Sequence, residues 1–573
     1  MPETMKASTV ATALFVIVSF ISVVKGATPA PAKPSNSDHG YTCPAKQALA
    51  VSTSDEEYKK RPFVDGAKTF IGGKVKAFSG PSKEVTSPIV DEATGKSTVI
   101  GKMAQMSEAD AMAVVESSKT AWGAGQGTWP QMTSADRIKA LENVLDSLVE
   151  IREEMVNVLM WEICKTKKDA AAEFDRTIVF AKAVIQAFKD DAAANKWMTV
   201  SKVMAKVRRA AIGIVLCLGP FNYPINETYA TLLPALLSGN VVILKVPTLG
   251  GLAHILTMQA FAKHLPAGAI NFLSGSGRST MGPVMRTGSV DVLAFIGGSS
   301  AADAIIKEHP NPHRLKSFLQ LEGKNPGIIL PDANLDSAAD EVCLGATSYN
   351  GQRCTAIKMT FVHRSVADVF MQKLATRVNA LKGGLPWAEG VSITPLPEPS
   401  KPRMLQDWIG DAISKGAKLF NADQGGGEQA GALCTPAIMY PVTEKMRLWH
   451  EEQFGPVIPV AVFDHVSEVV DYIAKAPFGQ QAAIFTATPE GDASILVDAL
   501  ATVVGRININ AQCGRSPDVY PFSGRRSSAL GTMSIKDSVS VFSTETVIAT
   551  KEAGKNIEIT KGLEKTTRIL ADI

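Results

Sequence analysis

A cysteine near the middle of the chain stands among residues that could activate it. Cys354 follows Arg353 and precedes Thr355, and Gly351 lies three residues earlier, where it would let the backbone turn tightly. A free thiol is only a few per cent ionised at neutral pH, and a nearby cation such as Arg353 raises the thiolate fraction that attacks a substrate. The pattern predicts a nucleophilic cysteine, and a buried structural cysteine is the alternative.

Polar side chains follow two apolar runs that resemble neighbouring strands. The run at 212–218 leads into the letters GPFNYP, which contain Asn222, and the run at 241–244 ends at Lys245, with Thr248 close behind. A helical pattern separates the two runs, and continuously apolar strands joined by a helix are typical of a parallel sheet covered on both faces. Because ligands of such sheets lie beyond the carboxyl ends of the strands, we expect these three side chains at a binding edge.

Two glycine-rich turns continue this alternation of strand and helix. The turn at 275–278 contains Gly277, and a later turn consists of Gly297, Gly298 and Ser299. A glycine turn that opens a helix can hold a phosphate, because exposed N–H groups and the helix dipole both favour an anion. One such turn is a weak indicator, since most are only turns, but two within one unit favour a doubly wound α/β domain.

Composition excludes several classes of protein. The chain has 573 residues with a net charge of +3 and no basic run, so it is long enough for two or more domains and nucleic acid is not expected as a partner. Its seven cysteines form no CxxC pair and have no histidine at ligand spacing. Neither a disulfide framework nor a metal site is predicted.

The first residues differ in character from the rest. Lys6 precedes an apolar run at 10–24, which is followed by a stretch rich in proline, alanine and serine up to residue 37. This length and these flanks fit a signal-like leader better than a membrane span, with a short anchor or an extension without function as alternatives. We expect residues 1–58 to be leader and linker, and no stable membrane span in the mature protein.

Four motifs together resemble the aldehyde dehydrogenase superfamily in order and spacing. They are GPFNYP at 219–224, KVP at 245–247, NGQRC at 350–354 and EEQFGP at 451–456. The resemblance covers about residues 67–553. The context of Cys354 and the letters RSPDVYPF, which begin at Arg515, are similar to one branch of that superfamily, which oxidises D-glyceraldehyde 3-phosphate to 3-phosphoglycerate with NADP and without inorganic phosphate.

The resemblance implies an architecture. It consists of a Rossmann-like cofactor domain at 59–320, an α/β catalytic domain at 321–535 and a C-terminal oligomerisation strand and tail at 536–573. A β-hairpin at about 198–211 would form the oligomerisation arm together with a strand near 540–550. The resemblance also implies a homodimer or a homotetramer, and a cytoplasmic location, to which the leader adds a secretory or organellar alternative.

The same resemblance implies a thioester mechanism. Cys354 would attack the aldehyde carbon, and the amide of Asn222 and the backbone N–H of Cys354 would stabilise the oxyanion where its charge develops. A turn-forming role is the alternative for Asn222, which precedes Tyr-Pro.

The general base is where this chain departs from the family. Relatives read LELGGK, whereas residues 319–324 read LQLEGK, so Gln320 stands at the position of the base and a glutamate, Glu322, appears two residues later. An amide cannot accept a proton, and residues two apart in an extended segment point the same way. We expect Glu322 to be the base, with Gln320 orienting water as the alternative.

NADP is the cofactor that the resemblance favours. Lys245 and Thr248 suit a 2′-phosphate, and no carboxylate stands beside them to repel it. Glu452 and Phe454 match the family's contacts to the ribose and the nicotinamide. Gly298 replaces a serine that many relatives carry near the pyrophosphate, so Ser299 or backbone N–H groups would substitute; Gly277 and Gly297 complete the predicted cofactor set.

Substrate choice rests on arginines. Arg176, Arg353 and Arg515 match the branch's phosphate-binding set, which Tyr223 and Thr355 complete. A surface salt bridge is the alternative role for Arg176, and the sequence alone favours it. Guanidinium groups that converge from distant segments suit an anion, since a hydrogen bond between charged groups contributes roughly 1.5–3 kcal/mol. Another small anionic aldehyde, such as a semialdehyde, is the alternative substrate, and a catalytically silent binding protein on the same fold is the alternative function.

Overall fold

The structure is a computed structural model that describes residues 50–570. The predicted apolar leader at 10–24 lies outside the described residues. Within residues 50–570 there is no helix that is both long enough and apolar enough to cross a membrane.

Residues 50–58, which the sequence assigned to the leader and linker, contact the rest of the described chain. Val51 is buried and pairs in parallel with Asp91, and the Tyr58 hydroxyl donates a 2.7 Å hydrogen bond to the Asp91 carboxylate. The ring of Tyr58 also packs edge-on against Trp161. Burial of these side chains fixes the segment to the domain. The polar residues around them in the sequence do not indicate this burial.

The strands of the described residues form sheets of two to eight members. In chain order they are β1 (Ala50–Val51), β2 (Val64–Gly66), β3 (Lys68–Ile71), β4 (Lys74–Ala77), β5 (Ser82–Asp91), β6 (Ser97–Ala104), β7 (Met198–Val200), β8 (Val203–Ala211), β9 (Ile214–Leu218), β10 (Val241–Lys245), β11 (Ile270–Leu273), β12 (Val292–Ile296), β13 (Lys316–Gln320), β14 (Asn325–Ile329), β15 (Ile357–His363), β16 (Lys382–Gly383), β17 (Val391–Ile393), β18 (Lys418–Leu419), β19 (Gln429–Ala430), β20 (Leu433–Cys434), β21 (Ala437–Tyr440), β22 (Val457–Phe463), β23 (Phe478–Gly479), β24 (Gln481–Phe485), β25 (Arg506–Ile509), β26 (Arg525–Arg526), β27 (Ala529–Leu530) and β28 (Ser543–Lys551).

The helices alternate with these strands through most of the chain. They are α1 (Glu56–Lys59), α2 (Glu108–Trp122), α3 (Ser134–Glu150), α4 (Arg152–Ile163), α5 (Lys167–Ala194), α6 (Asn226–Leu237), α7 (Leu252–His264), α8 (Gly277–Arg286), α9 (Ser299–Lys307), α10 (Leu335–Thr347), α11 (Ala367–Asn379), α12 (Lys401–Ser414), α13 (Arg447–His450), α14 (Val466–Lys475), α15 (Asp492–Leu500), α16 (Ile535–Val541) and α17 (Gly554–Thr566).

The cofactor sheet has the order β27-β13-β12-β9-β10-β11-β3-β4, and its central strands β13 to β11 are parallel. Nearly every residue of β9 to β12 is buried, as expected for a parallel sheet covered on both faces. The chain runs from β9 outward to β10 and β11 on one side and to β12 and β13 on the other. The strand order therefore reverses between β9 and β12, and ligand crevices form at such a point.

The catalytic sheet has the order β18-β21-β22-β15-β14-β24-β25, and every pairing in it except that of β18 is parallel. Only residues 321–324 connect β13 of the cofactor sheet to β14 of the catalytic sheet. The predicted domain boundary at residue 320 is the last residue of β13. This short connection carries Glu322, so it lies between the two sheets.

A separate antiparallel sheet lies where the family resemblance implies an arm. Strands β7, β8 and β28 lie in the order β28-β8-β7, and β28 pairs with β8 along its whole length, from Ser543 with Ala211 to Lys551 with Val203. Met198, Val200 and Val547 each expose more than half of their apolar surface. Helix α17 packs beside the arm, where Glu564 pairs with Lys206.

Candidate active site

A cleft of about 1130 Å³ lies between the carboxyl edge of the cofactor sheet and the start of β15. The predicted catalytic residues Cys354, Asn222 and Glu322 all line it. The predicted substrate residues Arg176, Tyr223, Arg353, Thr355 and Arg515 line it too, and so do Gly297, Gly298, Glu452 and Phe454 from the cofactor set. Lys245, Thr248, Gly277 and Ser299 lie outside this lining.

The turn before the nucleophile has an unusual backbone. Tyr349, Asn350 and Gly351 have φ angles of 48°, 57° and 70°, all in the left-handed region that costs non-glycine residues of order 1–3 kcal/mol each. A Cβ at Gly351 would lie 2.6 Å from the carbonyl oxygen of Ala346, so only glycine fits. The surroundings hold the strained turn, since the Asn350 side chain exchanges two hydrogen bonds with Thr394.

Cys354 is partly buried and its thiol is protonated in its resting environment. Burial, reinforced by the carboxylate of Glu227, raises the pKa of Cys354 to about 11, and the ammonium of Lys358 opposes this shift. Lys358 also donates a 3.3 Å hydrogen bond to the carbonyl oxygen of Cys354. The cation that favours the thiolate is therefore Lys358, on the strand that follows the nucleophile.

The role expected of Arg353 as this cation is wrong. Its guanidinium turns away from the thiol and donates to the carbonyl oxygen of Gly345 at 2.9 Å and to Gln512 Oε1 at 3.2 Å. Arg353 still lines the cleft, and its Nε is buried without a hydrogen-bond partner among the described residues. Residues adjacent in sequence can direct their side chains to different partners, and Arg353 and Cys354 do so.

Asn222 reaches the loop of the nucleophile from the end of β9. Its side chain is buried, and Nδ2 donates a 2.8 Å hydrogen bond to the carbonyl oxygen of Gln352, two residues before Cys354. An amide nitrogen carries two protons, so one N–H remains for a further acceptor. The contact fixes the orientation of the amide beside the thiol loop.

Gln320 and Glu322 both face the cleft, as expected for residues two apart in an extended segment. The Gln320 side chain is buried, and neither of its polar atoms has a partner among the described residues. Glu322 Oε1 accepts hydrogen bonds from the backbone N–H of Ser299 at 2.7 Å and from Ser299 Oγ at 3.2 Å, whereas its Oε2 is buried and unpartnered. Each residue thus presents an oxygen with spare acceptor capacity.

Glu322 caps the helix that the sequence predicted to hold a phosphate. Helix α9 begins at Ser299, its N-cap residue Gly298 has no side chain to satisfy the free N–H groups, and the Glu322 carboxylate does so instead. A Cβ at Gly298 would lie 3.1 Å from Glu322 Oε1, so the glycine leaves room for this contact. The cradle of Gly297, Gly298 and Ser299 is therefore already paired with an anion of the protein.

Two buried lysines hold the EEQFGP motif against the cleft. Lys358 forms a close ion pair with Glu452, and Lys324 Nζ donates a 2.7 Å hydrogen bond to Gln453 Oε1. Phe454 has a φ of 45°, and its ring packs edge-on against Phe221 at 5.9 Å between centroids. Lys358 therefore holds Glu452, which is predicted to contact a ribose, and the same lysine lowers the pKa of the Cys354 thiol.

Lys245 ends β10 and is almost wholly buried. Its Nζ donates to the carbonyl oxygens of Val246 at 2.7 Å and Gly275 at 2.8 Å, and burial lowers the pKa of Lys245 to about 8. An ammonium has three protons, so one remains for an incoming acceptor. Thr248 and Gly277, at the exposed ends of the adjacent loops, lie on the same edge of the sheet.

The predicted arginines meet carboxylates at the far end of the cleft. Arg176 donates two hydrogen bonds to Asp518, at 3.0 and 2.7 Å. Arg515 Nε lies 3.1 Å from Asp518 Oδ1, and Arg515 Nη1 lies 2.6 Å from Glu227 Oε2. Burial opposes ionisation of Asp518, but the two arginines outweigh it and lower the pKa of that carboxyl.

A buried ion pair supports Tyr223 beneath the cleft. Lys165 forms a close ion pair with Glu173, both fully buried, and Lys165 Nζ lies 3.4 Å from the centroid of the Tyr223 ring. The other oxygen of Glu173 accepts from the backbone N–H groups of Ile225 and Asn226, at the start of α6. This arrangement fixes the segment that carries both Tyr223 and Asn222.

Several residues of the site were not predicted from the sequence. They are Lys358, Glu227, Asp518, Gln480 and Arg506. The amide of Gln480 lowers the pKa of the Cys354 thiol, and Arg506 donates to the carbonyl oxygens of Gly514 and Ser516. Only Asp518 carried a signal, because it lies in the RSPD motif. The described residues contain no group of three or more potential metal ligands.

The fold and the cleft define an α/β protein in which a partly buried cysteine, Cys354, faces the crevice of a dinucleotide-binding type of sheet. The model of the aldehyde dehydrogenase family matches residues 80–548, and the chain belongs to that family. Both the family and the fold class expected from the motifs are therefore confirmed.

Relatives and solved structures agree with this assignment. The chain is 34% identical over 489 residues, which are 83% of it and 97% of the relative, to the NADP-dependent glyceraldehyde-3-phosphate dehydrogenase of Streptococcus equinus. It is 30% identical over 75% of its length to the enzyme of that name from Nicotiana plumbaginifolia, of which 85% is covered. The crystal structure of such an enzyme from Bacillus halodurans C-125, complexed with NADP, matches with a TM-score of 0.77 at 30% identity over 85% of this chain and 100% of that one.

Proposed function

We propose that the protein oxidises D-glyceraldehyde 3-phosphate to 3-phosphoglycerate with NADP as the cofactor and without inorganic phosphate. The observation that carries this proposal is the presence of Cys354 and three arginines in one cleft. Arg176, Arg353 and Arg515 come from segments far apart in the chain, and such convergence suits the anionic end of a small aldehyde. The relatives named for this reaction support the same substrate.

The residues of the cleft can divide the reaction among them. The Cys354 thiolate adds to the aldehyde carbon and forms a thiohemiacetal, whose oxyanion accepts hydrogen bonds from the free N–H of Asn222 and from the Cys354 backbone. Oxidation leaves the acyl group as a thioester on Cys354. Water then attacks the thioester carbon, the C–S bond breaks, and the acid and the thiolate are released.

NADP fits the edge of the cofactor sheet. When bound, it supplies the acceptor for the hydride of the substrate. Lys245 has one N–H unused and would hold a phosphate or ribose oxygen, with Thr248 beside it. Gly277, Gly297, Gly298 and Ser299 would approach the pyrophosphate through backbone groups, and Glu452 and Phe454 would contact the nicotinamide ribose and ring.

Glu322 is the base that we propose for hydrolysis of the thioester. Its Oε2 is buried, unpartnered and part of the cleft, so it can accept a proton from water. The amide of Gln320 can orient water but cannot take its proton. Replacement of the usual glutamate by Gln320 is thus compensated two residues later, on the same side of the same segment.

The arm supports assembly of the chain into homodimers or homotetramers. The exposed apolar side chains of Met198, Val200 and Val547 lie on a three-stranded sheet at the surface of the protein. Apolar patches of this kind are typical of protein interfaces. Sedimentation of the full-length protein would distinguish a monomer from either oligomer.

The first experiment is to follow NADPH formation by the full-length protein with glyceraldehyde 3-phosphate, in a buffer without inorganic phosphate. Sustained turnover is expected, and the Cys354→Ala variant is expected to form none. The variant Cys434→Ala, which removes a buried cysteine outside the cleft, is the matched control and should retain the wild-type rate. Sustained turnover of succinic semialdehyde alone would instead support the alternative substrate class.

The kinetics of the first turnover distinguish Glu322 from Gln320 as the residue needed for hydrolysis of the thioester. Glu322→Gln is expected to release one equivalent of NADPH per site in a burst and then to turn over about 10²–10⁴-fold more slowly, because a general base contributes a factor of that size. Gln320→Ala should retain most of the steady-state rate. The reverse result, a burst with Gln320→Ala and sustained turnover with Glu322→Gln, would assign the hydrolytic step to Gln320.

A further inference from the structure

Arg515 is the most enclosed cation of the cleft. Its side chain is only 6% exposed, and its guanidinium lies 5.5 Å from the ring centroid of Phe180 and 5.9 Å from that of Phe522. Neither Nη1 nor Nη2 makes a hydrogen bond of good geometry within residues 50–570. A buried guanidinium with unused donors is therefore directed at a cleft that has to bind an anion.

Two carboxylates contact Arg515, and they differ in their other side-chain contacts. Asp518 lies three residues away in the same loop and also makes both hydrogen bonds to Arg176, so it positions two arginines at once. Glu227 lines the cleft and reaches only Arg515, at 2.6 Å, with no other polar side-chain contact in the part of the chain that the structure describes. Among the described residues, the ion pair of Arg176 is with Asp518 and not with Glu227.

Glu227 occupies the same side of Arg515 that a substrate anion needs. Glu227 lies against Nη1, so Nη2 stays available to an anion while the carboxylate lowers the positive potential of the cleft. Arg506, the fourth arginine of the lining, uses Nη1 on the carbonyl oxygens of residues 514–516 and braces the loop. The charge of the anion site thus depends strongly on Glu227.

We propose that Glu227 is a specificity-determining residue, whose carboxylate competes with the anionic end of the aldehyde for Arg515 and so weakens the preference for a doubly charged group over a singly charged one. This inference rests on the proposed function, because it concerns the same aldehyde site. A phosphate ester carries close to two negative charges above its second pKa of about 6, whereas a carboxylate carries one. The penalty from Glu227 is therefore larger for the phosphate ester.

The test compares Glu227→Gln with the wild type at pH 8 on two aldehydes, glyceraldehyde 3-phosphate and succinic semialdehyde. Glutamine keeps the size of the side chain and removes its charge. We expect kcat/KM for the phosphate ester to rise about tenfold, mainly through KM, and kcat/KM for the semialdehyde to rise by about threefold or less. The ratio of kcat/KM for glyceraldehyde 3-phosphate to kcat/KM for succinic semialdehyde should therefore rise. If this ratio stays within about twofold of the wild-type ratio, or falls below it, the inference is overturned.

Two control variants separate this effect from others. Glu308→Gln removes the same charge from a surface ion pair with Arg286 and should change neither value. Asp518→Asn removes a carboxylate that positions two arginines and should raise KM for both aldehydes. If Glu227→Gln behaved like Asp518→Asn, Glu227 would be a positioning residue and the inference would be wrong.

A binding measurement keeps the inference independent of turnover. Inorganic phosphate that occupies the arginine site should protect Cys354 from iodoacetamide, and Glu227→Gln should need about fivefold less phosphate for half-protection. If the wild type oxidised neither aldehyde but this shift were seen, the proposed function would fail and the role of Glu227 would stand. If the wild type turned over glyceraldehyde 3-phosphate and the shift were absent, only the role of Glu227 would fail.

Discussion

Glu322 Oε1 accepts a 2.7 Å hydrogen bond from the backbone N–H of Ser299, the first residue of α9. A helix N-terminus favours an anion through its free N–H groups and its dipole, and in this structure the anion is a side chain of the protein itself. The pyrophosphate proposed for the same cradle would compete with Glu322 for Ser299. The base that we propose and the cofactor are therefore coupled through one helix end.

This competition predicts that removal of the carboxylate strengthens cofactor binding. Glu322→Ala should lower the Kd for NADP by about 3–30-fold, since a charge at a helix terminus contributes roughly 0.5–2 kcal/mol. Calorimetric titration with NADP measures this without any turnover. Glu116→Gln, which removes a surface carboxylate paired with Lys119, is the control, and an unchanged or raised Kd for Glu322→Ala would contradict the competition.

The thiol of Cys354 should react slowly at neutral pH in the absence of ligands. Burial and the Glu227 carboxylate raise its pKa to about 11, so the thiolate fraction, and with it the rate of alkylation by iodoacetamide, should increase up to about that pH. Lys358→Gln should move the profile to higher pH, because the lysine cation favours the thiolate. Cys354→Ala gives the background rate, and a wild-type midpoint below pH 9 would contradict this account.

Lys245 should take up a proton when NADP binds at alkaline pH. Burial lowers its pKa to about 8, so the amine is mostly neutral at pH 9, and an incoming phosphate favours the charged form and raises the pKa. Calorimetry in two buffers of different ionisation enthalpy at pH 9 measures the uptake. Lys245→Met should abolish it and Lys119→Met, at an exposed site, should not; a wild-type uptake of zero would count against contact between Lys245 and the cofactor.

Removal of one partner of the ion pair between Lys165 and Glu173 should lower the free energy of unfolding. Lys165→Met leaves a buried carboxylate unpaired and is expected to reduce the free energy of unfolding by about 3–5 kcal/mol. The double variant Lys165→Met, Glu173→Gln should recover part of this loss, because the amide oxygen can still accept from Ile225 and Asn226. Urea denaturation monitored by circular dichroism gives both values, and equal losses in the single and the double variant would refute the argument.

The features predicted from the sequence are those that local patterns determine. Continuous apolar runs were sufficient to place β9 and β10, and a local pattern also begins α2, where Ser107 and Asp110 form a capping box. Cys354 follows a tight turn and Asn222 follows β9. The motif around each residue sets the geometry of that turn or strand end, so both residues reach one cleft. The break between α3 and α4 at Ile151 is not of this kind, because no glycine or proline marks it in the sequence.

The features that the sequence did not reveal depend on contacts between distant segments. The Arg353 side chain hydrogen-bonds to Gly345 and Gln512, and Lys358 is the cation that lowers the pKa of the Cys354 thiol, a role that the sequence assigned to Arg353. The contact of Glu227 with Arg515 joins the first turn of α6 to a loop near the end of the chain. Side-chain directions of this kind follow from packing, which no motif in the sequence records.

The pairing of β8 with β28 has a consequence for synthesis of the protein. Ala211 pairs with Ser543, so β8 leaves the ribosome long before its partner strand has been made, and β7 alone can cover one of its edges in the meantime. Chains fold from the N-terminal side as they emerge, and an unpaired strand edge invites pairing with other chains. The exposed edge of β8 therefore has to stay unpaired until the residues of β28 have been synthesised, and the arm cannot be completed before then.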